Sequence, residues 1–150
     1  MNAATVIVDS GGANLASLQH ALARLHASSV VSSDPRTIAA ARRVLLPGVG
    51  SAGAAMQRLR AHGLAELLPT LRQPLLGICL GMQLLFEFSE EGSTPCLGLI
   101  RGEVRRLRPA AGLTVPHMGW NALRILRPDP LLDGVRGDDY VYFVHSFAAA

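Results

Sequence analysis

Cys79 stands in Gly77-Ile78-Cys79-Leu80-Gly81, where the apolar run Leu75-Leu76-Gly77-Ile78 passes into helix-forming residues. A nucleophile held at a sharp strand-to-helix turn has a strained backbone and brings neighbouring chain into contact. Glycine is needed on both sides, because a Cβ there would clash. The tip also meets a helix N-terminus, whose unpaired N–H groups and dipole favour thiolate over thiol. Two readings of these five residues stand at this point: a reactive nucleophile, or a cysteine packed between glycines that bring helix and sheet together. Cys96, between Thr94-Pro95 and Leu97-Gly98, has no such surroundings and reads as structural.

A thiolate that attacks a carbonyl needs N–H donors for the developing oxyanion. Pro47-Gly48-Val49-Gly50 closes the apolar run Val44-Leu45-Leu46. In an open parallel sheet the carboxyl ends of neighbouring strands line one crevice. There the glycines let peptide N–H groups face inward, and Val49 and Leu80 could each donate one. Standing alone, the same segment reads equally well as a turn and a helix start.

Elements to hold these residues are visible in the hydrophobic pattern. Thr5-Val6-Ile7-Val8 reads as a buried strand, ended by Asp9-Ser10-Gly11-Gly12. Asn14 can cap the next helix, in which Leu15, Leu18, Leu22 and Leu25 recur at three- and four-residue steps. A short strand at Val30-Val31 precedes the Ser33-Asp34-Pro35 helix start and a helix over 36–41. Val44 to Leu46 is the third strand; helices follow over Ala52 to Ala61 and Leu64 to Leu68. Leu75 to Ile78 is the fourth strand, leading through Cys79 into a helix over Leu80 to Glu87. Strand and helix thus alternate four times, the pattern of a parallel, helix-covered sheet. From Cys96 onward, strands at Leu99-Ile100, Val104 to Leu107, Asn121 to Leu126 and Tyr140 to Phe147 succeed one another without helices. The fold class expected is α/β: an open, mostly parallel sheet flanked by helices, with an antiparallel second half, in one domain over residues 1–150.

Composition narrows the chemistry. The 150 residues are 49% hydrophobic and 17% charged, too apolar and too weakly charged for a disordered segment. The net charge of +3 is carried by arginine, with no lysine in the chain. Schiff-base chemistry and a Gly-Lys-Ser/Thr phosphate loop are therefore excluded. Aromatics are 5% and do not interleave with the arginines, so nucleic acid is not an expected partner. Arg101, Arg105, Arg106 and Arg108 read as a solvated strand face. No apolar run approaches the roughly 20 residues of a membrane helix, and Asp9 comes too early for a signal peptide. A cytoplasmic setting is expected, with no metal site and no cofactor.

With these motifs set out, the chain is identified as a member of a known family. Pro47-Gly48-Val49-Gly50 together with Gly77-Ile78-Cys79-Leu80-Gly81-Met82-Gln83-Leu84-Leu85-Phe86-Glu87 resembles the class I, triad-type glutamine amidotransferases, which have a flavodoxin-like fold. Val115-Pro116-His117-Met118-Gly119-Trp120-Asn121 and Tyr142-Phe143-Val144-His145-Ser146-Phe147 resemble, within that family, the glutaminase subunits of imidazole glycerol phosphate synthases. The resemblance implies that Cys79 attacks the side-chain amide of glutamine, forms a γ-glutamyl thioester and releases ammonia. It places the oxyanion donors at the backbone of Val49, Gly50 and Leu80. Gln83 and Glu91 would hold the substrate, Glu91 through the glutamine amino group, and the backbone of His145, Ser146 and Phe147 would line its other side. Ammonia would pass to a synthase (cyclase) subunit, a (β/α)8 barrel bound as heterodimer partner, to make imidazole glycerol phosphate and AICAR in histidine biosynthesis. Asn14, Met118 and Trp120 match positions at that interface.

The chain departs from the family in two places. The first turn of the family, Asp-Tyr-Gly-x-Gly-Asn, is here Asp9-Ser10-Gly11-Gly12-Ala13-Asn14. Family members also continue past the point where this chain stops, and the His-Pro-Glu motif with the general base lies in that continuation. The His and Glu of the triad are absent from residues 1–150, so the chain is expected to be C-terminally incomplete and poorly active by itself. His145 is rejected as a substitute base, because its neighbours match the substrate-lining strand. His20, His26 and His62 fall in helices and are expected to face solvent. The competing reading is a non-catalytic docking or regulatory protein that retains the interface.

Overall fold

The computed structural model describes residues 5–12, 14–110, 112 and 114–150. Met1, which heads the stretch read above for a leader, and Ala13 of the first turn lie outside them. The chain forms two compact units, one running to Arg105 and including Ala149–Ala150, the other spanning Arg106–Ala148.

The first unit opens with strand β1 (Thr5–Val8), helix α1 (Leu15–Arg24), β2 (Ser29–Ser32), α2 (Pro35–Ala39) and β3 (Arg43–Gly48). Next come α3 (Ala52–Ala61), α4 (Leu64–Leu67), a 3-10 turn at Leu68–Thr70, β4 (Leu75–Cys79) and α5 (Leu80–Gln83). The four strands form one parallel sheet in the order β2-β1-β3-β4. This is the expected parallel arrangement, and β1 and α3 have the boundaries read from the sequence. Parallel sheets are covered on both faces, which is why β1 is buried at all four positions and carries a β-branched residue at each. Val6, Val8, Val44 and Leu46 share a core with Ile38, Met56, Leu59, Leu64 and Leu84. Each fully buried side chain of this size is worth roughly 1.5–3 kcal/mol of transfer free energy.

Caps set the helix starts. The Asn14 side chain accepts from the Ser17 N–H at 3.1 Å, and Asp34 accepts from the Thr37 N–H at 2.8 Å. The leucine stripe of α1 is only half-buried and ends short of expectation. Leu25 is 75% exposed, because the helix stops at Arg24 and the chain turns through His26 at φ +54°.

The helix expected over Leu80 to Glu87 is much shorter. After Gln83 the chain turns, buries Leu84 and Leu85, and becomes β5 (Phe86–Ser89). Strand pairing overrides local helix propensity here: β5 pairs antiparallel with β6 (Thr94–Pro95) and parallel with β7 (Ile100–Arg106). The two runs expected at Leu99-Ile100 and Val104 to Leu107 are this single strand β7. A register shift between Phe86 and Phe88 is absorbed at Gly102, φ +114°, whose N–H donates to the Glu87 carboxylate at 2.9 Å.

In the second unit, β8 (His117–Ala122) and β9 (Tyr140–His145) form a two-stranded antiparallel ribbon, with a 3-10 turn at Pro130–Leu132 between them. The strand expected over Asn121 to Leu126 begins earlier and ends earlier. Its register is set by β9, which pairs His117 with His145 at one end and Ala122 with Tyr140 at the other. β10 (Phe147–Ala149) closes the strand sequence, and the Ala150 N–H donates to the Glu103 carbonyl at 3.0 Å within the first unit. Among the described residues no helix is long and apolar enough to cross a membrane.

Candidate active site

Cys79 ends β4 and caps α5, with φ +56° and ψ −123°. A non-glycine residue in this region carries roughly 1–3 kcal/mol of strain, which persists only where the surroundings over-determine it. Three glycines do so. A Cβ on Gly81 would fall on the Leu46 carbonyl of β3, and one on Gly77 would reach the Met82 backbone N at 2.6 Å. A Cβ on Gly48 would come to 2.7 Å from the Gly81 N. The first turn of α5 is therefore pressed against β3 and β4 at distances only glycine permits, and Cys79 is left exposed at the tip.

Parallel pairing sets Gly48 beside Cys79 and Pro47 beside Ile78. Val49 and Gly50 thus leave the sheet directly next to Cys79, Val49 being 43% exposed and Gly50 turning at φ +87°. Leu80, the first residue of α5, has a backbone N–H without an intrahelical partner. The structure brings Cys79, Leu80 and the Val49-Gly50 peptides to one end of one sheet.

The supports of this loop escaped the sequence reading. Ser10, 3% exposed, donates its hydroxyl to the Pro47 carbonyl at 3.2 Å. Arg58 of α3 reaches back to donate Nε–H to the Ser10 carbonyl. Glu91, in the turn between β5 and β6, accepts the Ala52 N–H on Oε2 at 2.7 Å. Gln83 is half-buried on α5. The only sequence signal for the Ser10 support was its departure from the family tyrosine.

Asn14 is exposed and engaged in capping α1. His145, Ser146, Phe147, Met118 and Trp120 belong to the second unit. His145 Nδ1 lies 2.9 Å from the Phe147 carbonyl, which makes Nδ1 the protonated nitrogen. Its ring stands edge-on to His117 at 5.4 Å, and the His117 Nε2 lies 2.8 Å from the Asn121 side-chain oxygen. With Leu107, Arg108, Thr114 and Val115, these histidines line a cleft of about 270 Å³. The Ser146 carbonyl accepts the Leu107 N–H at 2.8 Å.

The opposite face of the ribbon is apolar and open. Met118, Trp120, Tyr140, Tyr142 and Val144 are all more than half exposed, and the register puts them on one side. The Trp120 and Tyr142 rings meet edge-to-face at 5.4 Å. Core packing, the alternative use of Met118 and Trp120, does not apply. The two-residue period of Tyr140, Tyr142 and Val144 in the sequence implies a strand, and only the register with β8 adds them to the face of Met118 and Trp120. Among the described residues no three His, Cys, Asp or Glu side chains gather as metal ligands.

The family model for class-I glutamine amidotransferases matches residues 6–150. The chain belongs to that family. It is 57% identical over 142 residues to the imidazole glycerol phosphate synthase subunit HisH of Xylella fastidiosa Temecula1, covering 95% of this chain and 71% of that relative. HisH of Xanthomonas campestris pv. campestris strain 8004 is 54% identical over 143 residues, covering 95% and 72%. A crystal structure of a glutamine amidotransferase matches with a TM-score of 0.72 at 18% identity, over 94% of this chain and 70% of that one. That last likeness establishes the fold, and the amidotransferase fold is the one expected from the motifs.

Among the other expectations, Cys96 is half-buried against the core, its Sγ 3.5 Å from the Thr94 carbonyl. Burial pushes its thiol above the usual cysteine range, and nearby Arg60 partly offsets the rise. Arg101, Arg105, Arg106 and Arg108 are solvent-exposed, as are His20, His26 and His62.

Proposed function

We propose that this class-I glutamine amidotransferase is the glutaminase partner of an imidazole glycerol phosphate synthase. It hydrolyses glutamine to glutamate and ammonia and delivers the ammonia to a synthase subunit in histidine biosynthesis. The observation that carries the reading is the strained, exposed Cys79 beside the Val49-Gly50 loop. The relatives named as synthase subunits supply its biological setting.

In this reading the Cys79 sulfur bonds to the δ-carbon of glutamine, and the carbonyl π electrons move onto oxygen. The peptides of Val49, Gly50 and Leu80 hold that oxyanion. Collapse to the thioester expels the amide nitrogen, which leaves as ammonia after gaining a proton. Water then adds to the thioester carbon and returns the sulfur as glutamate departs. Gln83 and Glu91 hold the substrate in the first unit, Glu91 by pairing with the amino group. The family resemblance puts the general base and its carboxylate downstream of residue 150, and His145 is not assigned that role. A docking-only protein would have no reason to keep the strain at Cys79.

The apolar ribbon face is the surface we assign to the synthase subunit, a (β/α)8 barrel in a heterodimer, with Met118 and Trp120 as anchors; the family resemblance adds Asn14 of the first unit as a separate contact. Exposed Trp and Tyr clusters of this kind supply most of the affinity in protein interfaces. A cytoplasmic setting belongs to the same proposal. The test is ammonia release from glutamine by the full gene product mixed with its synthase subunit. Cys79→Ala is expected to lower the rate by about 10⁴-fold or more without changing the melting temperature. Undiminished release by that variant would sink the assignment.

A further inference from the structure

Helix α3 begins immediately after the Val49-Gly50 loop, and its start has an unusual cap. Ser51 has the extended backbone of an N-cap residue, yet its side chain makes no capping bond, and the first turn contains no acidic residue. The cap comes instead from 39 residues away, where Glu91 Oε2 accepts the Ala52 N–H at 2.7 Å. The turn carrying Glu91 is firmly held. The Glu91 N–H donates to the Ser89 hydroxyl at 3.2 Å, and the Thr94 hydroxyl donates to the Glu91 carbonyl at 2.8 Å. Ser89 and Thr94 are 1% and 4% exposed. Arg60 adds a bond from α3 to the Pro95 carbonyl at 3.2 Å. Glu91 is thus a fixed post, and the start of α3 is tied to it.

We propose that Glu91 is a positioning residue for the oxyanion loop, clamping Ala52 so that the Val49 and Gly50 peptides are fixed beside Cys79. A carboxylate offers about four lone-pair sites on two oxygens. With Oε2 on the Ala52 N–H, Oε1 remains for a cationic amine. This inference rests on the glutaminase reading in one respect, that the amine is the α-ammonium of glutamine. Substrate recognition and oxyanion geometry then share one side chain, and binding the amine steadies the loop that stabilises the transition state.

Two substitutions in the full gene product, bound to its synthase subunit, separate the two duties. Glu91→Gln keeps an oxygen that can accept the Ala52 N–H but loses the charge for the ammonium. Glu91→Ala loses both. Hydrogen exchange at Ala52 is expected to be at least tenfold faster in E91A than in the parent, with E91Q within a few-fold of the parent. In steady-state glutamine hydrolysis, E91Q is expected to raise KM about tenfold or more. E91A should raise KM similarly and lower kcat at least tenfold further than E91Q does. Parent-like exchange at Ala52 in E91A overturns the clamp, as does equally fast exchange in both variants. Equal kcat in the two variants overturns its effect on the oxyanion loop. If the parent complex releases no ammonia, the glutaminase reading fails, while the exchange comparison still judges the clamp.

Discussion

The elbow around Cys79 and the β8–β9 ribbon are built on opposite principles. At the elbow, Gly48, Gly77 and Gly81 let three backbone segments approach so closely that no side chain fits between them. The tip residue is forced into a conformation it would not choose. In the ribbon, the register lines up Met118, Trp120, Tyr140, Tyr142 and Val144 on a face that nothing in its own unit covers. The first arrangement stores strain inside a packed neighbourhood. The second leaves apolar surface in water, where its favourable burial is still to be realised. The proposed function needs both, because it asks for a nucleophile that is held and a docking face that is open.

The largest effect expected from breaking this contrast is at Gly81. Gly81→Ala sets a Cβ against the Leu46 carbonyl, and overpacking of this kind costs typically 1–3 kcal/mol, occasionally more. Backbone on both sides makes the upper end the expectation, seen as a lower urea midpoint, and Cys79 should move with the turn. An unchanged midpoint would show that the close approach is not required. At Trp120 the expected loss is one of affinity: Trp120→Ala should weaken binding of the synthase subunit by about 2 kcal/mol or more, roughly thirtyfold in calorimetry. Its stability should stay within about 0.5 kcal/mol of the parent, as for other exposed positions. A large drop in stability with affinity retained would move Trp120 from docking face to core.

The two cysteines sharpen the comparison more gently. Iodoacetamide near pH 8 should label exposed Cys79 several-fold faster than Cys96, where burial favours the neutral thiol. Because that folded-state thiol is raised, the stability it contributes is fully present below the unfolded cysteine range. It is lost as pH climbs through the folded value, so the parent should lose ground to Cys96→Ala only in alkaline solution. The smallest effect belongs to Asp34. Hydrogen bonds from Thr37 hold its carboxyl below the usual range. The depressed value contributes stability above the unfolded aspartate range that is lost as pH falls through the folded value. Asp34→Ala should lower the melting temperature slightly at neutral pH, with the difference closing in acid; a gap that persists there would rule out the capping charge as its source.

Much of the site could be read in one dimension because it is built from short motifs. Gly-Ile-Cys-Leu-Gly announces a strained turn by its glycines, and Pro-Gly-Val-Gly announces a strand end; with four strand–helix alternations, both must meet at one sheet edge. The helix expected through Glu87 stops at Gln83, and the sequence leaves this open because Leu84, Leu85 and Phe86 fit helix and strand alike. Only pairing of Phe86 to Ser89 with β6 and β7 decides between them. The Ser10 bond to Pro47, the reach of Arg58 and the Glu91 clamp on Ala52 join residues 37, 48 and 39 positions apart. No periodicity encodes such partners.

By itself, the amino-acid sequence determined the strained turn at Cys79, the parallel half of the fold and the family, because each depends on local residue types at fixed spacing. Tertiary structure alone decided what holds the Val49-Gly50 loop and which face of the ribbon stays open. Those outcomes depend on strand register and on hydrogen bonds between distant segments, and neither exists until the chain has packed.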